Sequence, residues 1–377
     1  MATAEIAANG IRFFTKHWQP TKATAQVLFV HGFVEHIERY DHAFPRFADQ
    51  GISVFAYDQR GFGKTASFNP KSYAVTSWKE QLDDLAFFLE HARSLNPGVP
   101  LFLFGHSMGG GLSLAFCTRS PPLRPDLLSQ LSGVIASSPL LRQSKGVKTP
   151  LPIVRLGSLV GKISGGLTLS AKVKPEDCTR DPEQQKLYAN DPLCLQKGTF
   201  RGVGDMLLGG DTLVNRDWVH FPASLPLLIV HGTADKVTCP DASKEFVDKV
   251  KGDKVGATDA TFKPFEGFYH EMHNEPEPDR NVELDYLVSW ILAHSSSPSS
   301  ASSSALPSSS SPLTTVGAAP SAATAAVGSS AASEAAPPTS TTELGGEVMG
   351  GVRTDADLAA TAVGGGGAGT GGRESKL

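Results

Sequence analysis

Gly105-His106-Ser107-Met108-Gly109 sets one hydroxyl between small residues. The apolar run Leu101–Phe104 precedes it, and Gly110 and Gly111 open a helical pattern after it. A strand turning sharply into a helix would lift the Ser107 hydroxyl clear of the backbone and aim the helix N-terminus at a reacting carbonyl. A serine hydroxyl is a weak nucleophile near neutral pH, so a base must take its proton. His270 follows the apolar run Thr261–Phe265 and is the expected base; His273, three residues on, is its rival. Asp235, four residues beyond His231 after Leu227–Val230, would orient the imidazole and stabilise its charged form, while Asp241 reads as a helix cap. Together these residues point to acyl transfer. Its tetrahedral intermediate needs oxyanion donors, and position in the chain offers the backbone N–H groups of Met108 and Phe33. His31, at the start of the Phe33 loop, reads as a loop-packing residue.

Positioning such groups requires a sheet whose strand ends converge. Gln26–Val30, Ile52–Asp58, Leu101–Phe104, Gly133–Ser137, Leu227–Val230 and Thr261–Phe265 are short apolar runs. Helical patterns alternate with them over Glu35–Gln50, Trp78–Leu95, Ser107–Arg119, Asp241–Val250 and Arg280–Ala293. Continuous apolar strands between helices predict a mostly parallel sheet covered on both faces. Asn9-Gly10 predicts a tight turn joining a leading antiparallel pair. The alternation breaks at about 141–222. A structureless loop of that length is improbable in a compact domain, so an inserted helical cap is expected. The catalytic domain is placed at 1–294.

The 377 residues carry 34 basic and 38 acidic side chains, a net charge of −4, so no global basic field exists for a nucleic-acid backbone. Cys117, Cys178, Cys194 and Cys239 lack zinc-type spacing and read as free thiols. No metal or organic cofactor is expected. The first residues lack a basic region followed by an apolar run, so no signal peptide is read, and no apolar run is long enough for a membrane span.

The segments His31–Tyr40, Asp58–Gly63, Gly105–Gly110, His231–Asp235 and Phe268–Glu275 together resemble the monoacylglycerol lipases, α/β-hydrolases of the serine aminopeptidase-like group. The similarity covers about residues 5–293. It implies an α/β-hydrolase fold, a monoacylglycerol substrate cleaved to fatty acid and glycerol through an acyl-enzyme, and a cap shaping an acyl tunnel. It also implies a polar pocket for the glycerol head, matched by Glu35, Arg39, His273 and, in the cap, Tyr188. Read without the resemblance, Glu35 and Arg39 are also spaced for an ion pair on a helix surface. The chain departs from the family at Phe33 and Val34, where small residues are common, and at Phe62, where His is frequent. Thr238, beside Cys239, stands near the position of a reactive cysteine in mammalian relatives, and Cys194 lies one place from a cap cysteine.

From Arg142 to Lys174 there is no acidic residue, but Arg142, Lys145, Lys148, Arg155, Lys162, Lys172 and Lys174 are basic. Ile153, Leu156, Val160 and Ile163 share one predicted helix face and Arg155, Ser158 and Lys162 another, the pattern of a helix that docks on anionic lipid. Gly157, Gly161, Gly165 and Gly166 suit a mobile lid. Residues 295–377 contain no Phe, Tyr, Trp or His and are rich in Ser, Ala and Gly, so they are expected to be disordered. They end in Ser375-Lys376-Leu377, a tripeptide read by the peroxisomal import receptor. Peroxisomal placement follows as an expectation, with room for a cytosolic or lipid-droplet pool; a fusion lacking the tripeptide should stay outside peroxisomes. The same triad could instead serve an acyl-CoA thioesterase, whose CoA phosphates the basic cap could meet, or a lysophospholipase or carboxylesterase. A catalytically silent lipid-binding module would need no such triad.

Overall fold

Asn9 and Gly10 both have positive φ, 48° and 74°, and close the hairpin that begins the sheet. In this computed structural model, which describes residues 1–295, β1 (Ala2–Ala8) pairs antiparallel with β2 (Ile11–Trp18), and β2 pairs antiparallel with β4 (Ile52–Tyr57). From β4 onward every neighbour is parallel: β3 (Ala25–Val30), β5 (Leu101–His106), β6 (Leu131–Ser137), β9 (Leu227–Gly232) and β10 (Ala260–Phe265). The spatial order is β1-β2-β4-β3-β5-β6-β9-β10. Every residue of β3, β4, β5 and β9 is buried, which is why these strands read as unbroken apolar runs.

Alternate side chains of one strand serve two cores. Leu28 and Val30 of β3 pack with Leu85 and Phe88 of α3 (Trp78–Leu95), Leu112 of α4 (Met108–Thr118) and Phe246 of α10 (Pro240–Lys251). Val27 and Phe29 pack on the other face with Phe44 and Phe47 of α1 (Phe44–Asp49) and Leu287 and Ile291 of α11 (Asp279–Ser295). Ser77 caps α3 by accepting from the Glu80 N–H. The mostly parallel sheet expected from the strand–helix alternation is present, and with it the α/β-hydrolase fold that the resemblance implies.

Three local expectations change. Glu35–Gln50 is not one helix: a 3-10 turn spans Ile37–Tyr40 and α1 starts afresh at Phe44 with Pro45 in its first turn. Proline cannot donate to an earlier carbonyl, so a helix continuous through it is broken. Asp241 stands in the first turn of α10, after Pro240, and the cap position is Cys239. A short helix, α2 (Gly63–Phe68), follows Asp58–Phe62, where no element was expected.

Between Ser137 and Leu227 the chain leaves the sheet. This insertion holds α6 (Leu151–Ile163), α8 (Pro182–Asn190) and α9 (Phe200–Asn215), and also β7 (Thr168–Ser170) paired antiparallel with β8 (Lys197–Thr199). The cap is therefore not wholly helical. Short helices α5 (Pro125–Leu128) and α7 (Pro175–Cys178) complete the chain order. The expected disorder of the tail and the Ser375, Lys376 and Leu377 signal fall outside the described residues. No helix among the described residues is long and apolar enough to cross a membrane.

One residue of α6 changes face: Ser158, expected beside Arg155 and Lys162, is buried. Val154, Ser158 and Gly161 are buried, while Ile153, Leu156 and Ile163 are exposed, Ile163 by 85%. Small residues turn inward because α6 lies close against α9: a side chain at Gly161 would strike the Arg201 backbone, and one at Gly204 would strike Ser158. Gly161 thus serves close helix packing, a tertiary demand that periodicity does not register.

Candidate active site

Ser107 stands between β5 and α4 with φ 51° and ψ −116°, a conformation that L-residues rarely adopt. The neighbouring glycines make the turn possible. A Cβ on Gly109 would overlap the Val30 and His31 carbonyls, and one on Gly105 would overlap the Gly109 backbone. Ser107 N–H donates to the Ser137 carbonyl at 2.9 Å, and Leu140 N–H donates to the Ser107 carbonyl at 2.9 Å. The nucleophile turn is thus tied to the end of β6.

Asp235 and His270 arrive on the loops after β9 and β10, at the same C-terminal edge of the sheet. His270 Nδ1–H donates to Asp235 Oδ2 at 2.8 Å. The Thr238 hydroxyl and His231 Nε2–H donate to the same oxygen at 2.8 and 3.0 Å. Asp235 Oδ1 accepts from the Val237 and Thr238 N–H groups at 2.7 and 2.9 Å. Burial alone would raise the Asp235 pKa, but His270 and these donors hold it well below the carboxylate range. Burial alone would lower the His270 pKa, yet Asp235 raises it. The rival His273 does not bond to Asp235; burial pushes it down to about 3.

The loop after β3 comes beside Ser107. A Cβ on Gly32 would stand 3.0 Å from the Ser107 Cβ. Val34 has φ 51°, a strained geometry for a β-branched residue. His31 is buried and locks this loop: its Nε2 accepts from Gln59 N–H at 2.8 Å. Among the described residues, neither Phe33 N–H nor Met108 N–H donates to another group. Phe33 and Phe62, two departures from the family pattern, meet edge to face at 5.6 Å.

Glu35 and Arg39 are buried, so they are not a helix-surface pair. Glu35 accepts from Gly32 N–H, from the Tyr40 hydroxyl at 3.1 Å and from Arg39 at 3.2 Å. Arg39 binds Glu271 through two hydrogen bonds of 2.7 Å. Burial raises the Glu35 pKa, and nearby Glu271 adds to the rise; Arg39 holds Glu271 low despite its burial. The Tyr188 ring lies 4.5 Å from the Arg39 guanidinium carbon, and the His273 ring stacks on Tyr40 at 4.4 Å. These four residues, named through the resemblance, therefore gather in one buried polar cluster.

Sequence reasoning missed Glu271, His231 and Thr238 as members of these networks. Their proximity in sequence to His270 and Asp235 was the available signal. The grouping with metal-ligand types among the described residues is His36, Asp191 and Cys194, with ligand atoms within 4.8 Å of one another. His36 Nε2–H already donates to Asp191 at 2.8 Å, joining the β3 loop to the cap. All four cysteines are free.

The chain matches the family described as serine aminopeptidase, S33 (Hydrolase_4), over residues 21–277. A Schizosaccharomyces pombe protein provisionally named a monoglyceride lipase is 35% identical over 285 residues, covering 75% of this chain and 71% of its own. The monoacylglycerol lipase of Mycolicibacterium smegmatis is 30% identical over 288 residues, covering 76% and 95%. Among solved structures, a soluble variant of the Saccharomyces cerevisiae monoglyceride lipase, in complex with a substrate analog, superposes with a TM-score of 0.70 at 24% identity. It covers 78% of this chain and 96% of that one, a likeness of fold.

Proposed function

The chain belongs to the serine aminopeptidase S33 family and, within it, to the monoacylglycerol lipases, and from this we propose that it cleaves monoacylglycerols to fatty acid and glycerol with Ser107 as nucleophile. The observation that carries this reading is the Asp235–His270 hydrogen bond at the sheet edge where the strained Ser107 turn stands. His270 takes the Ser107 proton as the hydroxyl attacks the ester carbonyl. The oxyanion meets the Phe33 and Met108 N–H groups. The imidazolium then protonates the departing glycerol oxygen, leaving an acyl-serine. Water, deprotonated by His270, attacks that ester; the acid leaves and the proton returns to Ser107. Glu35, Arg39, Tyr188 and His273 form the seat of the glycerol head. The test is hydrolysis of 1- and 2-oleoylglycerol beside oleoyl-CoA by the purified enzyme. Glycerol release faster than thioester cleavage is expected; faster cleavage of oleoyl-CoA would overturn the substrate reading and keep the acyl-enzyme chemistry.

The cap is the proposed contact with the lipid surface. Ile153, Leu156, Leu159 and Ile163 stand exposed on α6, interspersed with exposed Arg155 and Lys162. Large exposed apolar side chains among cations favour an interfacial helix. Arg142 contributes less because it is paired with Glu245. Replacing Ile153, Leu156 and Ile163 together by serine should weaken sedimentation with anionic vesicles by at least about tenfold. Neutralising Lys145, Lys148, Arg155 and Lys162 should weaken it further in low salt. Unchanged vesicle affinity in both variants would sink this role for the cap.

A further inference from the structure

Four buried polar atoms without a hydrogen-bond partner among the described residues belong to the wall of one small cavity. They are His106 Nδ1, Ser137 Oγ, His273 Nε2 and Glu283 Oε2. They come from the ends of β5 and β6, the loop after β10, and α11. Phe44, Phe104, Leu284 and Leu287 supply apolar wall. The space open to the centre of a water molecule is about 10 Å³, room for one. A buried polar atom left unpaired keeps its full desolvation penalty, so four around one void call for a shared partner.

We propose that this cavity binds one structural water, and that through it Glu283 acts as a positioning residue for the histidines packed around His270. The His106 ring lies 4.8 Å from that of His270 and 5.1 Å from that of His273. A water donates twice and accepts twice, and a carboxylic acid, a hydroxyl and two neutral imidazoles can complete that set. An ionised Glu283 would offer acceptors only. The other titratable groups on the cavity wall are Tyr40, His106 and His273, and none of them brings a fixed positive charge. The nearest charged cluster, Glu35 with Arg39 and Glu271, lies beyond the Tyr40 hydroxyl.

Burial pushes the Glu283 carboxyl up from 4.5 to about 8 and pushes His106 and His273 down, so all three are uncharged near neutral pH. A neutral Glu283 matters to His270. A proton passed from it to His106 would place a second positive charge on a ring 4.8 Å from that of the base.

The test compares E283Q and E283L with wild type in the full chain. In wild type the unfolded carboxyl ionises above about pH 4.5 and the folded one only above about 8, so Glu283 costs stability progressively across that window. Glutamine does not titrate. The Tm of E283Q should therefore rise relative to wild type from pH 5 to pH 8 and level off above. A pH-independent difference would overturn the buried neutral acid. Glutamine keeps both a donor and an acceptor for the water, whereas leucine keeps neither. E283Q should retain wild-type kcat, and E283L should lose about tenfold in kcat at unchanged KM. Equal kcat in the two variants would overturn the positioning role. The kcat comparison rests on His270 as base; the thermal comparison does not, so failure of the catalytic reading would leave the buried neutral acid independently tested.

Discussion

Ser107→Ala is expected to lower kcat for oleoylglycerol hydrolysis by about a millionfold while leaving the protein folded. Alanine removes the attacking oxygen, so no acyl-enzyme forms and His270 has no serine proton to take. The fold should tolerate the change because the turn is held by backbone bonds, Ser107 N–H to Ser137 and Leu140 N–H to Ser107, which alanine preserves. Gly105 and Gly109 still provide the space that the turn requires. A fluorophosphonate probe should label wild type at Ser107 and leave the alanine variant unlabelled. Retained glycerol release or retained labelling in the variant would displace Ser107 from its role.

Asp235→Asn should lower kcat by about ten-thousandfold. The carboxylate takes donors on both oxygens: two backbone N–H groups on Oδ1, and His270, Thr238 and His231 on Oδ2. An amide presents one acceptor and one NH₂ group. If its oxygen stays with the backbone donors, its NH₂ faces the His270 nitrogen and selects the wrong tautomer. If it turns over, the buried backbone donors lose their acceptor, at about 1–3 kcal/mol. The pH profile gives a second readout. Asp235 raises the His270 pKa above 6.5, so the wild-type rate should fall as pH drops through a value above that. The substitution removes this support and should move the acidic limb to lower pH. An unmoved limb with intact activity would show that Asp235 does not act on His270.

Much of this site is legible because its parts are local. The Ser107 turn follows from small residues between an apolar strand and a helical pattern, and the Asn9-Gly10 hairpin from two residues that accept positive φ. The order Ser107, Asp235, His270 could be read because each follows an apolar run that ends at one edge of a parallel sheet. That edge is a consequence of strand direction, and strand direction is a consequence of the helices between strands.

What the sequence by itself determined was therefore the sheet, the helices α3, α4, α10 and α11 to within a few residues, and which chemistry-bearing side chains reach the strand ends. Only the tertiary structure decided their partners. Arg39 meets Glu271 across 232 positions, and no local pattern couples them. Glu35 and Arg39 fit a surface pair by spacing, yet the cap and the loop after β10 bury them. On α6, periodicity marked the apolar stripe Ile153, Leu156 and Ile163, which is exposed as a lipid-docking face requires, but not the burial of Ser158. Close approach to α9 admits only Ser158, Gly161 and similar small groups, so the large apolar side chains point outward. Glu283 reads in the sequence of α11 like any surface acid, and only the meeting of α11 with β5, β6 and the His273 loop encloses it. Periodicity records which residues share a face; what covers that face is set by contacts between elements far apart in the chain.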